Sequence, residues 1–224
     1  MSTIPEHPPR RVRSFVRRAG RTTAGQQRAL EKLWPLWGLE EPAVPLELDQ
    51  VFARSAPRTL EIGFGNGEVL VAMAAAAPQH DFLGVEVHEP GVGHCLLGLE
   101  QAGLTNVRLI RHDAIEVLQN WLAADCLDRV NLFFPDPWPK KRHHKRRIVQ
   151  PAFLGFVAKA LKNDGLLHLA TDWVPYAEHM EETLAASANF SRENHGPQDR
   201  PETKFQRRGE RLGHEIRDLF YRRK

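Results

Sequence analysis

What this chain lacks narrows it first. Only two cysteines, Cys95 and Cys126, occur in 224 residues, and neither sits in a Cys-x-x-Cys arrangement. A disulfide scaffold and a zinc ribbon are therefore excluded, and a reducing compartment is expected. The longest apolar run, Val69 to Ala77, is too short and too rich in alanine to cross a bilayer. The arginine-rich N-terminus has no apolar core of the secretory kind, and its prolines (Pro5, Pro8, Pro9) spoil the amphipathic helix of a transit peptide. The chain is read as cytoplasmic, with no membrane partner. Internal repeats and low-complexity tracts are missing too. The net charge is only +3, so the placement of charge matters more than its total.

What is present describes a globular protein with an extension: 42% hydrophobic and 26% charged residues. Residues 1–24 form a basic, flexible arm carrying Arg10, Arg11, Arg13, Arg17, Arg18 and Arg21 around Phe15 and Val16. Residues 25–224 are expected to form one domain that opens with a helix, since Ala29, Leu30, Leu33, Trp34 and Trp37 recur at helical spacing between Gln26 and Trp37. From Arg58 onward strands and helices alternate. Strands are expected at 59–62, 82–87, 107–110, 130–134 and 166–170, with a shorter one near 190–193. Helices are expected up to Ala77, from 88 to 103, 114 to 124, 151 to 161 and 176 to 188. The tail Glu215 to Tyr221 alternates like a final antiparallel strand. The pattern predicts a mostly parallel, seven-stranded Rossmann-like sheet in a three-layer αβα sandwich. In such sheets ligands bind at the carboxyl ends of the strands, and Glu61 to Gly67, Glu86, Asp113, Asp136 and Asp172 all fall there.

Glu61-Ile-Gly63-Phe-Gly65-Asn-Gly67 is a glycine-rich turn between a strand and a helix, followed by an acid, Glu86, at the end of the next strand. An acid in that position commonly grips a ribose diol. Dinucleotide folds prefer Gly-x-Gly-x-x-Gly, which leaves a helix N-terminus free for pyrophosphate. Here the third glycine comes one residue early and Glu61 precedes the first. A carboxylate there repels pyrophosphate and attracts an ammonium group, which favours S-adenosylmethionine over a dinucleotide. Asp113 can accept the adenine amino group or, equally well on local grounds, cap the helix that follows.

The stretch Phe133 to Val149 ends a strand in three prolines, Pro135, Pro137 and Pro139, holding Asp136 and Trp138 in a stiff corner. Six of the next eight residues are Lys or Arg: Lys140, Lys141, Arg142, Lys145, Arg146 and Arg147, with His143 and His144 between them. Taken alone, such a run is a solvated loop; beside an acid and an aromatic it suits a polyanion bearing flat rings. Trp138 can stack on an extruded base or pack beneath the loop.

These blocks together resemble the bacterial tRNA (guanine-N7-)-methyltransferase family, a class I group dependent on S-adenosyl-L-methionine. The resemblance is carried by Arg13-Ser-Phe-Val-Arg-Arg-Ala-Gly-Arg21, Glu61 to Glu68, Gly84 to His88 and Pro90 to Gly93. It continues in Phe134-Pro-Asp-Pro-Trp138, Lys145 to Val149, Thr171-Asp-Trp173 and Thr203-Lys-Phe-Gln-Arg-Arg-Gly209. It implies cofactor contacts at Glu61, Gly63, Gly65, Glu86, Asp113 and Asp136, with Asp136 also catalytic. It further implies substrate contacts at Lys140, Asp172, Thr203, Lys204, Phe205 and Gln206, and RNA contacts at Arg142, His143, His144, Lys145, Arg146 and Arg147. The family usually has Glu where this chain has Gln206, so a charge is lost there. By the same resemblance tRNA is the partner, selected by its shape and an unstacked variable-loop guanine. No metal and no obligate protein partner are expected, and the chain can act as a monomer or a homodimer. The rival readings are a non-catalytic tRNA-binding protein on the same scaffold and another nucleotide-cofactor enzyme.

Overall fold

The computed structural model describes residues 14–15, 22–202, 213 and 215–224. The first helix, α1 (Ala24–Trp37), starts at a capping box: the Thr23 hydroxyl accepts from the Gln26 amide (3.2 Å) and the Gln26 side chain accepts from the Thr23 amide (2.9 Å). It leads into a two-residue strand, β1 (Gly38–Leu39), and a short helix, α2 (Leu48–Phe52). The alternation then runs β2 (Arg58–Ile62), α3 (Glu68–Ala76), β3 (Asp81–Val85), α4 (Glu89–Ala102), β4 (Val107–Ile110), α5 (Ala114–Glu116) and β5 (Leu127–Phe133). A 3₁₀ turn at Lys141–Arg146 precedes α6 (Pro151–Ala160), β6 (Leu161–Thr171), α7 (Val174–Ala185), β7 (Phe190–Glu193) and β8 (Arg217–Arg223).

All strands join one sheet in the order β1-β4-β3-β2-β5-β6-β8-β7. The pairs from β1 to β6 are parallel, and β8 lies antiparallel to both β6 and β7. Strand order reverses between β2 and β5, so a crevice opens past Ile62 and Phe133. One face is covered by α1, α3 and α4, which pack Leu33, Leu70, Met73, Val92, Leu96 and Leu99 on Phe82, Val107 and Leu109. The opposite face meets α6 and α7, with Phe153, Val157, Tyr176 and Met180 against Leu60, Val85, Val130 and Leu167. Among the described residues no helix is long and apolar enough to cross a membrane.

Three details depart from the sequence expectation. Gly38–Leu39 adds an eighth strand by pairing with Leu109 and Ile110, too short to announce itself by alternation. The helix expected over 114–124 is α-helical only to Glu116 and then widens into a π-turn, Val117–Trp121. The strand expected over 166–170 begins earlier, at Leu161, with an irregularity before Leu166: Leu127 pairs with Leu161 and Arg129 with Leu166, and Asp164 takes φ +60°.

Candidate active site

The crevice holds a cavity of about 380 Å³ lined by the glycine turn, the end of β3, the end of β5 and the proline corner. Gly63 and Gly65 have φ of +70° and +59°, and a Cβ on either would meet no protein atom within 4 Å, because both face the cavity. Glu86 draws the turn onto β3: its carboxylate accepts from the amides of Gly65 (2.9 Å), Val87 (2.6 Å) and His88 (2.9 Å). Both glycines and Glu86 line the cavity.

Glu61 lies at its floor and is 4% exposed, and its Oε2 is buried without a hydrogen-bond partner. Burial lifts its carboxyl to about 8, opposed by the positive charge of Arg129. An unsatisfied buried carboxyl at a cavity floor fits a ligand that brings an ammonium group.

Phe134 and Trp138 take positive φ, +49° and +45°, at the two ends of the proline corner. Bulky residues rarely adopt that conformation, at a cost of about 1–3 kcal/mol each, and it clusters where function dictates the backbone path. The result sets Asp136 exposed on the cavity wall beside Phe133, Phe134 and Pro135. Trp138 is half-buried: its Nε1 donates to the Ser14 carbonyl (3.1 Å), Arg146 lies over its ring at 4.0 Å, and His143 meets it edge-on at 5.8 Å.

The cationic ribbon is not uniform. Lys140, Lys141, Arg142 and Lys145 are exposed, while His144 and Arg146 are half-buried. Partial desolvation and the cations Arg142, Arg146 and Lys140 hold the half-buried His143 below the usual imidazole range. Arg147, expected to contact RNA, is 3% exposed. Its Nε donates to the Pro137 carbonyl (3.0 Å), Nη1 to that of Pro175 (3.4 Å), and its plane covers Tyr176 at 4.9 Å. It braces the corner from beneath, because the carbonyls of two prolines and a buried ring converge where the ribbon turns inward.

Asp113 caps α5 by accepting from the Ile115 amide (3.0 Å) and lines a neighbouring hollow rather than the main cavity, whereas His112 and Ala114 on either side line the cavity itself. Asp172 follows β6 at the same sheet edge, next to Trp173, whose amide donates to the Thr171 hydroxyl (3.2 Å). Thr203, Lys204, Phe205 and Gln206 lie outside the described residues. Four lining residues had no site role assigned from the sequence: Ser14, Phe15 and Ile148, which lie inside the blocks that carry the resemblance, and His112, which carried no distinctive signal.

The architecture matches that of the 16S rRNA methyltransferase KamB, with a TM-score of 0.61 at 15% identity over 84% of this chain and 98% of that one. Residues 55–219 match the family described as "Putative methyltransferase". The chain has the fold of class I methyltransferases, and the crevice residues fit S-adenosyl-L-methionine as cofactor. Glu61 suits its ammonium group, and the open side of the glycine turn admits close approach.

The relatives narrow the class. The tRNA (guanine-N(7)-)-methyltransferase of Halorhodospira halophila is 58% identical over 222 residues, 96% of each chain. That of Pseudomonas syringae pv. syringae is 56% identical, covering 96% of this chain and 91% of its own. The chain belongs to the tRNA (guanine-N7-)-methyltransferase family.

Proposed function

We propose that this protein transfers the methyl group of S-adenosyl-L-methionine to N7 of a guanine in the variable loop of tRNA, with Asp136 positioning the base and stabilising the charge it acquires. The observation that supports this reading is the place of Asp136: exposed, on a proline-stiffened corner, lining the same cavity as the glycine turn and Glu61.

When bound, the cofactor supplies an electrophilic methyl group on a sulfonium. Guanine N7 offers a lone pair and carries no proton, so the new N–C bond forms without a base, while the electron pair of the broken C–S bond stays on sulfur. The purine begins neutral and ends cationic. A fixed carboxylate therefore acts by electrostatics and by accepting from the N1–H and amino edge, and placement matters more than proton transfer. Glu61 and Glu86 hold the cofactor end of the crevice. Exposed Lys140, Lys141, Arg142 and Lys145 offer phosphate contacts, which orient the RNA without reading its sequence.

The test is methyl transfer to total tRNA followed by cleavage mapping of N7-methylguanine. Asp136→Asn, which keeps the shape and removes the charge, should lower turnover by about a hundredfold while tRNA affinity changes little. A wild-type protein that binds tRNA and cofactor yet transfers no methyl group would establish the non-catalytic alternative instead.

A further inference from the structure

On the sheet face that carries Glu61, β5, β6 and β8 hold a ring of side chains that the chemistry above leaves unused. Asp199 receives two hydrogen bonds from the guanidinium of Arg129 on β5, at 2.5 and 3.0 Å. Its neighbour Arg200 gives Nε and Nη2 to the two carboxylate oxygens of Asp218 on β8, at 2.9 and 2.7 Å. His168 on β6 lies between, with Nδ1 2.9 Å from Arg129 Nη2 and Nε2 2.6 Å from Asp218 Oδ1. A guanidinium only donates, so Nδ1 is the acceptor and Nε2 carries the proton to Asp218; His168 is neutral and held in one tautomer.

Two adjacent residues of opposite charge thus meet complementary partners on the strands that flank β6. Sliding the segment by one residue would set like charges together, so the ring specifies register more than it adds stability. Just upstream, Gly196 rests so closely on the Phe220 ring that a Cβ would collide with it.

The ring also reaches the site. The Arg200 guanidinium, on a side chain 8% exposed, lies over the rings of Phe133 and Phe134, at 5.6 and 5.4 Å. Those residues wall the cavity and lead directly into Pro135-Asp136, and three residues beyond Arg200 begins Thr203 to Gln206. We propose that Arg200 is a positioning residue for methyl transfer to tRNA. Held in register by Asp218, His168, Arg129 and Asp199, it fixes the Phe133–Phe134 wall beneath Asp136. This rests on the function proposed above.

Arg200→Gln removes the charge and the paired hydrogen bonds. Turnover on tRNA should fall about tenfold or more, with cofactor affinity by calorimetry staying within about twofold. Asp218→Asn should match it, and the double variant should be no worse than the poorer single, because both remove one interaction. If Arg200→Gln does not accumulate folded, Arg200→Lys replaces it, since one ammonium cannot reproduce the planar fork. Unchanged turnover in a folded variant overturns the proposal. So does a fall in cofactor affinity parallel to turnover, which would make the ring a general stabilising element. Amide exchange over residues 194–202 reads the ring without catalysis and should accelerate in the variants, with unchanged exchange counting against it. Failure of the wild type to methylate tRNA would sink the functional reading and leave exchange to judge the ring.

Discussion

The two halves of one sheet face solve different problems. Under β2, β3 and β4 the face is apolar and roofed by α1, α3 and α4, with Phe82, Val107 and Leu109 packed beneath Leu70, Val92 and Leu96. Across β5, β6 and β8 the same face carries Arg129, Asn131, His168 and Asp218, closed over by Asp199 and Arg200. Glu61 stands at the seam, in register with Gly84 on one side and Asn131 on the other. The apolar half is held together by shape alone. The polar half fixes direction and register, because each of its charges faces a complementary partner.

The sharpest way to break the first half is at Gly91, in the first turn of α4. A Cβ there would strike the Gly65 carbonyl oxygen, so the helix and the glycine turn could not keep their present approach. Gly91→Ala should weaken cofactor binding by about a hundredfold in calorimetry. Its tRNA affinity should hold, because the ribbon lies elsewhere. If cofactor affinity survives, the turn is not the seat of binding.

The ribbon divides along the same line, between presentation and bracing. Arg147→Lys should lower turnover about tenfold by loosening the Pro137 carbonyl, yet leave the salt dependence of tRNA binding unchanged. Removing Arg142 and Lys145 together should do the reverse, reducing the salt slope by about one for each phosphate left without its cation, with turnover at saturation little changed. A shallower slope in Arg147→Lys would return that residue to the RNA surface.

How much of this was legible follows from how local each signal is. The glycine turn, its flanking acid and the acid after the next strand sit within 26 residues, Glu61 to Glu86, and periodicity placed the strands around them. The proline corner was equally local, although its two strained φ angles were not readable. Arg147 looks like its five cationic neighbours, and only the apolar Ile148-Val149 behind it hints that the chain is turning inward. The polar ring joins residues from 129 to 218, which become neighbours only through strand register. Its one sequence trace is period-two: Arg129 and Asn131 alternate with Val130 and Leu132, a polar row beside an apolar one inside a buried strand.

The seam itself gives the gentlest test. Burial raises the Glu61 carboxyl from its ordinary range to about 8. The folded chain therefore holds a proton there that the unfolded chain releases, so this group's contribution is fully present below about pH 4.5 and is lost as pH rises through about 8. Without cofactor, wild type should lose thermal stability relative to Glu61→Gln as pH climbs across that window, and the amide variant should not follow it. Ammonium binding asks for the opposite state, the ionised carboxylate. Cofactor affinity should rise by up to about tenfold from about pH 6 to 7, below the range of about 7.7–8.0 where an α-amino group titrates. Binding in that window should release a proton, detectable as a dependence of calorimetric heat on buffer ionisation enthalpy. Glu61→Gln should bind more weakly and show neither dependence. Equal pH profiles for the two proteins would mean that the carboxyl at the cavity floor is already satisfied before the cofactor arrives.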